Sequence, residues 1–511
     1  MIFPTGGHPP YALLRWLHRE RVARFERSLE TPEAAQRARL AAILAGAEGS
    51  DFAREHGLAP GMSLEQYRGA VPLRAHASLK PWLDRVESAE PGVLSRLPVI
   101  QMVQTSGTSG APKRLPVTMP WAESVGAAQG LWVLGLLRDD EQLAGGAALS
   151  IVSPAVTGAT SGGVPVGSNT GRMFLAQPWW VRWRAPVPYE VYGIDDVPTR
   201  QYAILRHALA ADVRSWTAAN PSSILLYMRR LREDWAELQR DLADGTLSRL
   251  GQRGLARRRL GDEPALPWSL RRVNTWKGGP AAFFVARLPA ALGVDVPIRE
   301  AGITASEGFF ATPVDDGDPV AFLDGHLLEF VDGGGQVRWA WELELGREYR
   351  LVVSTEAGLY RYDLGDIVRV TGLAGRAPRL VFVRRAGNEL SAVGERVTES
   401  QLLAVASALG LSALSASLAW AEVPWLRLAY AGATDVSAAD FDLRLRAENL
   451  EYDDRRATGR LGLPVLSRIS DTAFTAWRAR RVAEGAPEAQ VKDPVILAPE
   501  RWDELISLSG S

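Results

Sequence analysis

The chain contains no cysteine in 511 residues. That excludes disulfides, thiolate nucleophiles and thiolate metal sites, and it fits an intracellular protein. Charge of one sign is also lacking. The formal net charge is −1, so nothing global draws the chain to nucleic acid. No apolar run is long and uncharged enough to span a bilayer. The stretch from Met1 to Arg24 is interrupted by Pro4, Pro9, Pro10, Arg15 and His18, and it lacks the apolar centre of a signal peptide. The expectation is a soluble cytoplasmic protein with no nucleic-acid or membrane partner. None of the six histidines stands in a pattern for zinc or a catalytic triad. Lysine is the other scarcity. Lys and Arg together number 58, yet only Lys80, Lys113, Lys277 and Lys492 are lysine. Codon bias accounts for most of that imbalance. A lysine that survives it can still mark a place where a compact ammonium is not exchangeable for a planar guanidinium.

What is present is ordinary globular sequence, 46% hydrophobic and 23% charged, long enough for more than one domain of roughly 100–200 residues. Apolar spacing predicts one or two amphipathic helices over 13–46, a helix over 121–137, and mostly helix over 202–260. Strands are predicted at 99–103, 147–152, 271–275, 296–302 and 326–330. They then dominate, at 350–354, 367–371 and 380–384. The Gly, Ser, Thr and Pro-rich stretch 157–171 reads as loop. A hinge near 385–388 divides a larger domain, 1–385, from a smaller one, 386–511. Trp179, Trp180 and Trp183 read as core packing, with an acyl-pocket wall as the alternative. The basic run 253–259 reads as a solvated helix face, with an acidic carrier protein as the alternative.

Four segments carry chemistry. The first is Thr105-Ser106-Gly107-Thr108-Ser109-Gly110, followed by Lys113. Small residues let backbone N–H groups converge on an anion, and hydroxyls and the ammonium add to the cradle. Pro112 stands where a Walker A loop needs its last glycine, so the loop is of another kind. The second is Gly302-Ile303-Thr304-Ala305-Ser306-Glu307, where Glu307 is either a magnesium ligand beside phosphates or the acidic residue after a helix N-cap. The third, Tyr360-Arg361-Tyr362 to Gly365-Asp366, either aims a carboxylate at a ribose diol or is a hairpin turn. The fourth, Arg384-Arg385-Ala386-Gly387-Asn388, is a hinge touching nucleotide or a solvated charged turn.

In this order and spacing the four resemble the adenylate-forming superfamily of acyl-CoA synthetases, luciferases and adenylation domains. More narrowly they look like the Gretchen Hagen acyl-acid amido synthetases. The narrower match adds Thr275-Trp276-Lys277-Gly278-Gly279, Ala377-Pro378, Phe382 and Asn449-Leu450-Glu451-Tyr452. The resemblance covers nearly the whole chain. It implies an α/β fold: a large N-terminal domain of mixed sheets flanked by helices with a β-rich subdomain, and a smaller mobile α+β C-terminal domain. It implies a two-step ligase that uses ATP and Mg2+. A carboxylic acid becomes an acyl-adenylate, and an amine or amino acid then takes the acyl group. The same superfamily also contains ligases that pass the acyl group to CoA, and a non-catalytic homologue would keep the fold. By resemblance Thr105, Ser106, Gly107, Thr108, Ser109, Gly110 and Lys113 hold phosphates, and Glu307 holds magnesium. Asp366 binds ribose, while Gly302, Thr304, Ser306, Tyr362 and Arg385 complete the nucleotide contacts. Lys492, in Ala489-Gln490-Val491-Lys492-Asp493-Pro494, matches the lysine of the mobile domain that completes adenylation. This chain departs from plant members at Thr105, Gly110, Ile303 and Arg396, where they have serine, alanine, tyrosine and lysine.

Overall fold

The apolar run at 99–103 becomes the strand Val99–Gln104, in which Met102 and Val103 are completely buried. A computed structural model describes residues 2–104, 113–387, 389–393, 395–421, 423–488 and 491–509 of the protein, with the Trp180 side chain set aside. Val99–Gln104 pairs antiparallel with Arg114–Thr118 and parallel with Pro165–Gly167. Gly158–Ala159 completes this four-stranded sheet, so the stretch expected as loop holds two short strands.

A second sheet is wholly parallel, in the order Ile298–Glu300, Arg272–Thr275, Val213–Thr217, Ala147–Ser150. Helices Val197–Leu209, Pro221–Glu233 and Trp235–Asp244 bury their apolar stripes against it. Val213–Thr217 corrects the sequence reading, which made 202–260 mostly helix. Its five residues lie between two strongly helical segments, and burial of Val213 and Trp216 in the sheet overrides the local pattern. The N-terminal region forms three helices, Pro9–Leu17, Arg19–Glu30 and Pro32–Ala47, rather than one or two. Proline opens the first and the third.

The β-rich stretch folds into one eight-stranded sheet, antiparallel throughout. Gly365-Asp366 is not a hairpin turn: it lies inside the single strand Tyr362–Ala374, where Ile367 pairs with Arg350 but Asp363 pairs with Val352. Extra residues are thus looped out of the ladder, and Gly365 takes φ +75°, as bulges often require. Ser306-Glu307 is the two-residue tip of the hairpin Ile303–Ala305 and Gly308–Thr312, not a helix N-cap.

Beyond Arg385 the chain builds a three-stranded sheet, Ala413–Ala419, Trp425–Ala431 and Val465–Arg468, covered by helices, with one core of its own and another that Phe283 of the preceding body joins. The molecule is therefore a large mixed α/β body with β-sheets and helices, followed by a smaller α+β portion.

Two expectations fail, the second in part. Trp179 and Trp183 are 73% and 83% exposed, because the four-residue helix Trp179–Arg182 lies on the surface and has no face broad enough to bury them. The run 253–259 is not helical, although Arg253, Arg257 and Arg259 are exposed as expected; Arg258 instead donates to the carbonyls of Leu209 and Ala211. Among the described residues no helix is long and apolar enough to cross a membrane.

Candidate active site

Glu307 sits at the hairpin tip, 6% exposed, and its backbone carbonyl accepts a 2.8 Å hydrogen bond from Trp121 Nε1 on helix Met119–Asp139. Gly302, at the base of the hairpin, has φ +94°, and a Cβ there would lie 2.7 Å from the Ala311 carbonyl oxygen. Only glycine fits that close approach. Thr304 pairs with Phe309 across the hairpin, and Ser306 is half-buried at its tip. Tyr362 begins the long strand, is 1% exposed, and its phenol lies near enough to Glu307 for the two groups to perturb each other.

The bulge brings Asp366 opposite Arg385 on the next strand, with Arg385 Nε 3.9 Å from Asp366 Oδ1. Arg385 Nη2 also donates to the Leu364 carbonyl at 3.1 Å, which ties the guanidinium to the bulge. Lys113 directly precedes the strand Arg114–Thr118. From the far end of the chain, Lys492 places its Nζ 4.8 Å from the centre of the Trp276 ring. Trp276 follows the parallel strand Arg272–Thr275, and its N–H donates to the Ala219 carbonyl at 3.0 Å.

The electrostatic influence of these groups on one another marks them as neighbours at one candidate site. Burial pushes the Glu307 pKa up. Arg385 and Lys113 oppose that shift, and Asp366 adds to it. Asp366 is likewise raised by burial and held back by Arg385 and Lys492. Burial lowers Lys492, against Glu399 and Asp366, which favour its charge, while Arg385 adds to the fall. Lys492 is exposed, so solvation moderates its fall. Lys113 is lowered by burial and Arg385, and Glu307 counters. Two carboxylates and three cations therefore act on one another at close range.

Of the residues singled out from the sequence, Lys113, Glu307, Tyr362, Asp366, Arg385 and Lys492 are brought together. Thr105, Ser106, Gly107, Thr108, Ser109 and Gly110 lie outside the described residues, as do Ala489 and Gln490 beside Lys492. Sequence reasoning gave no role to Trp121 or Glu399, and none to Trp276 beyond the motif it belongs to. Glu300, to which sequence reasoning gave no role, accepts hydrogen bonds from the backbone N–H groups of Lys277 at 2.8 Å and Ala301 at 3.0 Å. It orders the start of the Lys277-Gly278-Gly279 segment. Tyr452 and Asn449 have structural partners: Tyr452 donates to Asp442, and Asn449 caps the helix Leu450–Ala457.

The donor set suits magnesium that arrives with a polyphosphate. Glu307 offers hard carboxylate oxygens, and among the described residues no group of three or more His, Cys, Asp or Glu forms a protein-only cage. Magnesium commonly takes one or two carboxylates and completes its shell with phosphate and water.

Comparison with known proteins agrees with the fold. The GH3 family N-terminal domain matches residues 21–290, its central domain 322–385 and its C-terminal domain 428–501. A rice (Oryza sativa subsp. japonica) protein named as a probable indole-3-acetic acid-amido synthetase, GH3.4, is 28% identical, covering 96% of this chain and 90% of its own. The Arabidopsis thaliana indole-3-acetic acid-amido synthetase GH3.2 is 25% identical over 74% of this chain and 78% of its own. The solved structure of GH3.15 acyl acid amido synthetase superposes with a TM-score of 0.85 at 18% identity, covering 99% and 97% of the two chains. A 2-hydroxyisobutyryl-CoA ligase in its postadenylation state superposes at 0.54 and 16% identity, over 94% and 92%. With all three domain descriptions matched in order along the chain, this protein belongs to the GH3 family.

Proposed function

We propose that this protein is an ATP-dependent acyl-acid amido synthetase. The observation that carries the reading is the meeting of Lys492, from the smaller portion, with Asp366 and Arg385, next to Glu307 and Lys113 of the larger one. In the first step a substrate carboxylate oxygen attacks the α-phosphorus of ATP, and pyrophosphate leaves. In the second an amine nitrogen attacks the acyl carbonyl, AMP leaves, and the amine gives up a proton. The first step gathers negative charge on phosphate oxygens, which preorganised cations stabilise. Lys113 serves the leaving pyrophosphate together with the loop Thr105 to Gly110, and Lys492 serves the oxygens around the α-phosphate. Asp366 accepts from the ribose hydroxyls, and Arg385 keeps it aimed. Tyr362 fixes the Glu307 carboxylate, which holds magnesium. Magnesium, when bound, supplies charge neutralisation between the phosphates. Gly302, Thr304 and Ser306 shape the wall against the nucleotide. Residues 1–385 form the adenylating domain and 386–511 the mobile domain.

The test is a screen of carboxylic acids for ATP-dependent pyrophosphate release. Indole-3-acetic acid, named with the relatives, stands beside unrelated aromatic and aliphatic acids. The active acid is then offered amino acids, other amines or CoA. The expected products are an amide and AMP, identified by mass spectrometry. Thioester formation with CoA and no amide from any amine would replace this reading with that of a thioester ligase. Failure of every acid in the panel to elicit pyrophosphate release would point to a non-catalytic homologue.

A further inference from the structure

The segment that carries Lys492 is tied to the larger portion on both sides of the lysine. Arg200 Nε donates to Glu488 Oε2 at 2.7 Å, and Arg200 Nη2 lies 2.5 Å from the same oxygen. The neighbouring Gln201 donates through Nε2 to Glu488 Oε1, also at 2.7 Å. Both carboxylate oxygens are thus gripped by successive residues of one helix, Val197–Leu209. The Val491 N–H donates to the Glu488 carbonyl at 3.1 Å, which links the gripped residue to the one before the lysine. On the other side Asp493 pairs with Arg478 at 2.6 Å, and Arg478 donates to Ser222 Oγ at 2.6 Å.

Glu488 is the only carboxylate within ion-pair distance of Arg200 among the described residues, and Arg200 is 7% exposed. A pair this desolvated matters more than a surface bridge, and breaking it from one side leaves a buried charge without its partner. The grip also lies outside the group of charges at Glu307 and Asp366, so it acts on where Lys492 stands and not on the reacting atoms.

We propose that Glu488 is a positioning residue for Lys492: held by Arg200 and Gln201, it seats the lysine in the cleft for adenylation and has no part in the amine's attack on the adenylate. The inference rests on the reading that Lys492 serves adenylation. Releasing the grip removes one of the two ties beside the lysine, so the approach of Lys492 to Trp276 and to the charge of Asp366 remains chemically possible but is visited less often.

The variants Glu488→Gln, Arg200→Met and the exchange R200E/E488R are compared with the wild type and with Lys492→Ala. Hydrogen exchange of the 484–497 backbone needs no substrate. Roughly tenfold faster exchange is expected in E488Q and R200M, near wild-type rates in the charge exchange, and no change in K492A. With the acid found by the pyrophosphate screen, E488Q should lose roughly tenfold in kcat for pyrophosphate release with ATP KM unchanged. Aminolysis of the chemically made adenylate of that acid should be unaltered. Wild-type exchange in both single variants, or an equal fall in the two half-reactions, would overturn the proposal. The controls separate it from the reading beneath it. If K492A adenylates normally, the role of Lys492 is wrong. If K492A is inactive while E488Q is normal, only the grip is wrong.

Discussion

The Lys492 ammonium stands 4.8 Å from the centre of the Trp276 indole, on the side of the cleft that also holds Asp366 and Arg385. The ring face attracts the cation and narrows where it points, a contribution of about 0.5–2 kcal/mol. Replacing Lys492 with alanine should lower acid-dependent exchange of pyrophosphate into ATP by about 10²–10³-fold, the range for loss of one preorganised donor at a developing charge. Lys492→Arg should not restore it, since a planar guanidinium delivers its charge along a different fork. Trp276→Leu should cost only about 2–30-fold, with kcat falling more than ATP affinity. Wild-type exchange in Lys492→Ala would remove the lysine from the reaction.

Glu307 predicts an acid limb displaced toward neutrality. Its folded pKa lies above the ordinary carboxyl value because the group is buried, so protonation on acidification occurs earlier than for an exposed glutamate. Only the carboxylate binds magnesium, so the adenylation rate should fall with decreasing pH at values above the usual carboxyl range. Raising magnesium should move that limb to lower pH, because metal and proton compete for the same oxygens. Tyr362→Phe removes the phenol beside the charged form and should move the limb upward. Glu307→Gln should abolish the limb together with most of the activity. A pH profile insensitive to magnesium would count against Glu307 as the ligand.

Arg361 belongs to the stability of the fold. Its Nε donates to Glu329 at 2.9 Å, and its Nη1 donates to the carbonyls of Arg68 at 2.9 Å and Val71 at 2.6 Å. Glu329 is 1% exposed and also pairs with Arg68 at 3.1 Å. The same residue holds φ +47°, a conformation that side chains other than glycine rarely take and that this bonding sustains. Arg361→Ala should destabilise the protein by about 3–5 kcal/mol, because the buried carboxylate loses its principal partner. Urea unfolding measures the loss. A change below about 1 kcal/mol would mean that Arg68 alone satisfies Glu329.

The segment from Tyr360 to Asp366 shows what the sequence disclosed and what it hid. As a motif it marked the family, but the motif mixes two tasks. Tyr360 donates to the Leu94 carbonyl and Arg361 locks the sheet, while Tyr362 and Asp366 face the cleft. Alternation and glycine content suggested strands and a turn. Only strand pairing shows that Gly365-Asp366 is a bulge, since nothing local distinguishes the two. Lys492 was legible because lysine is scarce and the residues around it match a family pattern. The grip of Arg200 on Glu488 was not, because a salt bridge between residues 288 positions apart leaves no periodicity in the chain. The exposed Trp179 and Trp183 failed for a related reason: hydrophobicity shows a preference for burial, and the surface helix offers none.

Glu300 yields the most direct pH prediction. Burial raises its carboxyl to about 7, although the backbone N–H groups of Lys277 and Ala301 and the charge of Lys277 favour the ionised form. In the unfolded chain the group ionises near the ordinary glutamate value of about 4.3. Between that value and about 7 the folded state retains a proton that the unfolded state has released. Stability contributed by this group is therefore present at low pH and is lost as pH rises through the window, by at most about 1.4 kcal/mol per pH unit for one proton. Glu300→Gln cannot titrate. The difference in unfolding free energy between wild type and variant should drift in favour of the variant as pH rises from 5 to about 7 and become flat beyond it. Buried histidines such as His326, lowered to about 3, slope the other way, but they are common to both proteins and cancel in the difference. Urea unfolding at closely spaced pH values reads this directly. A difference independent of pH would show that Glu300 ionises normally and that its backbone hydrogen bonds outweigh its burial.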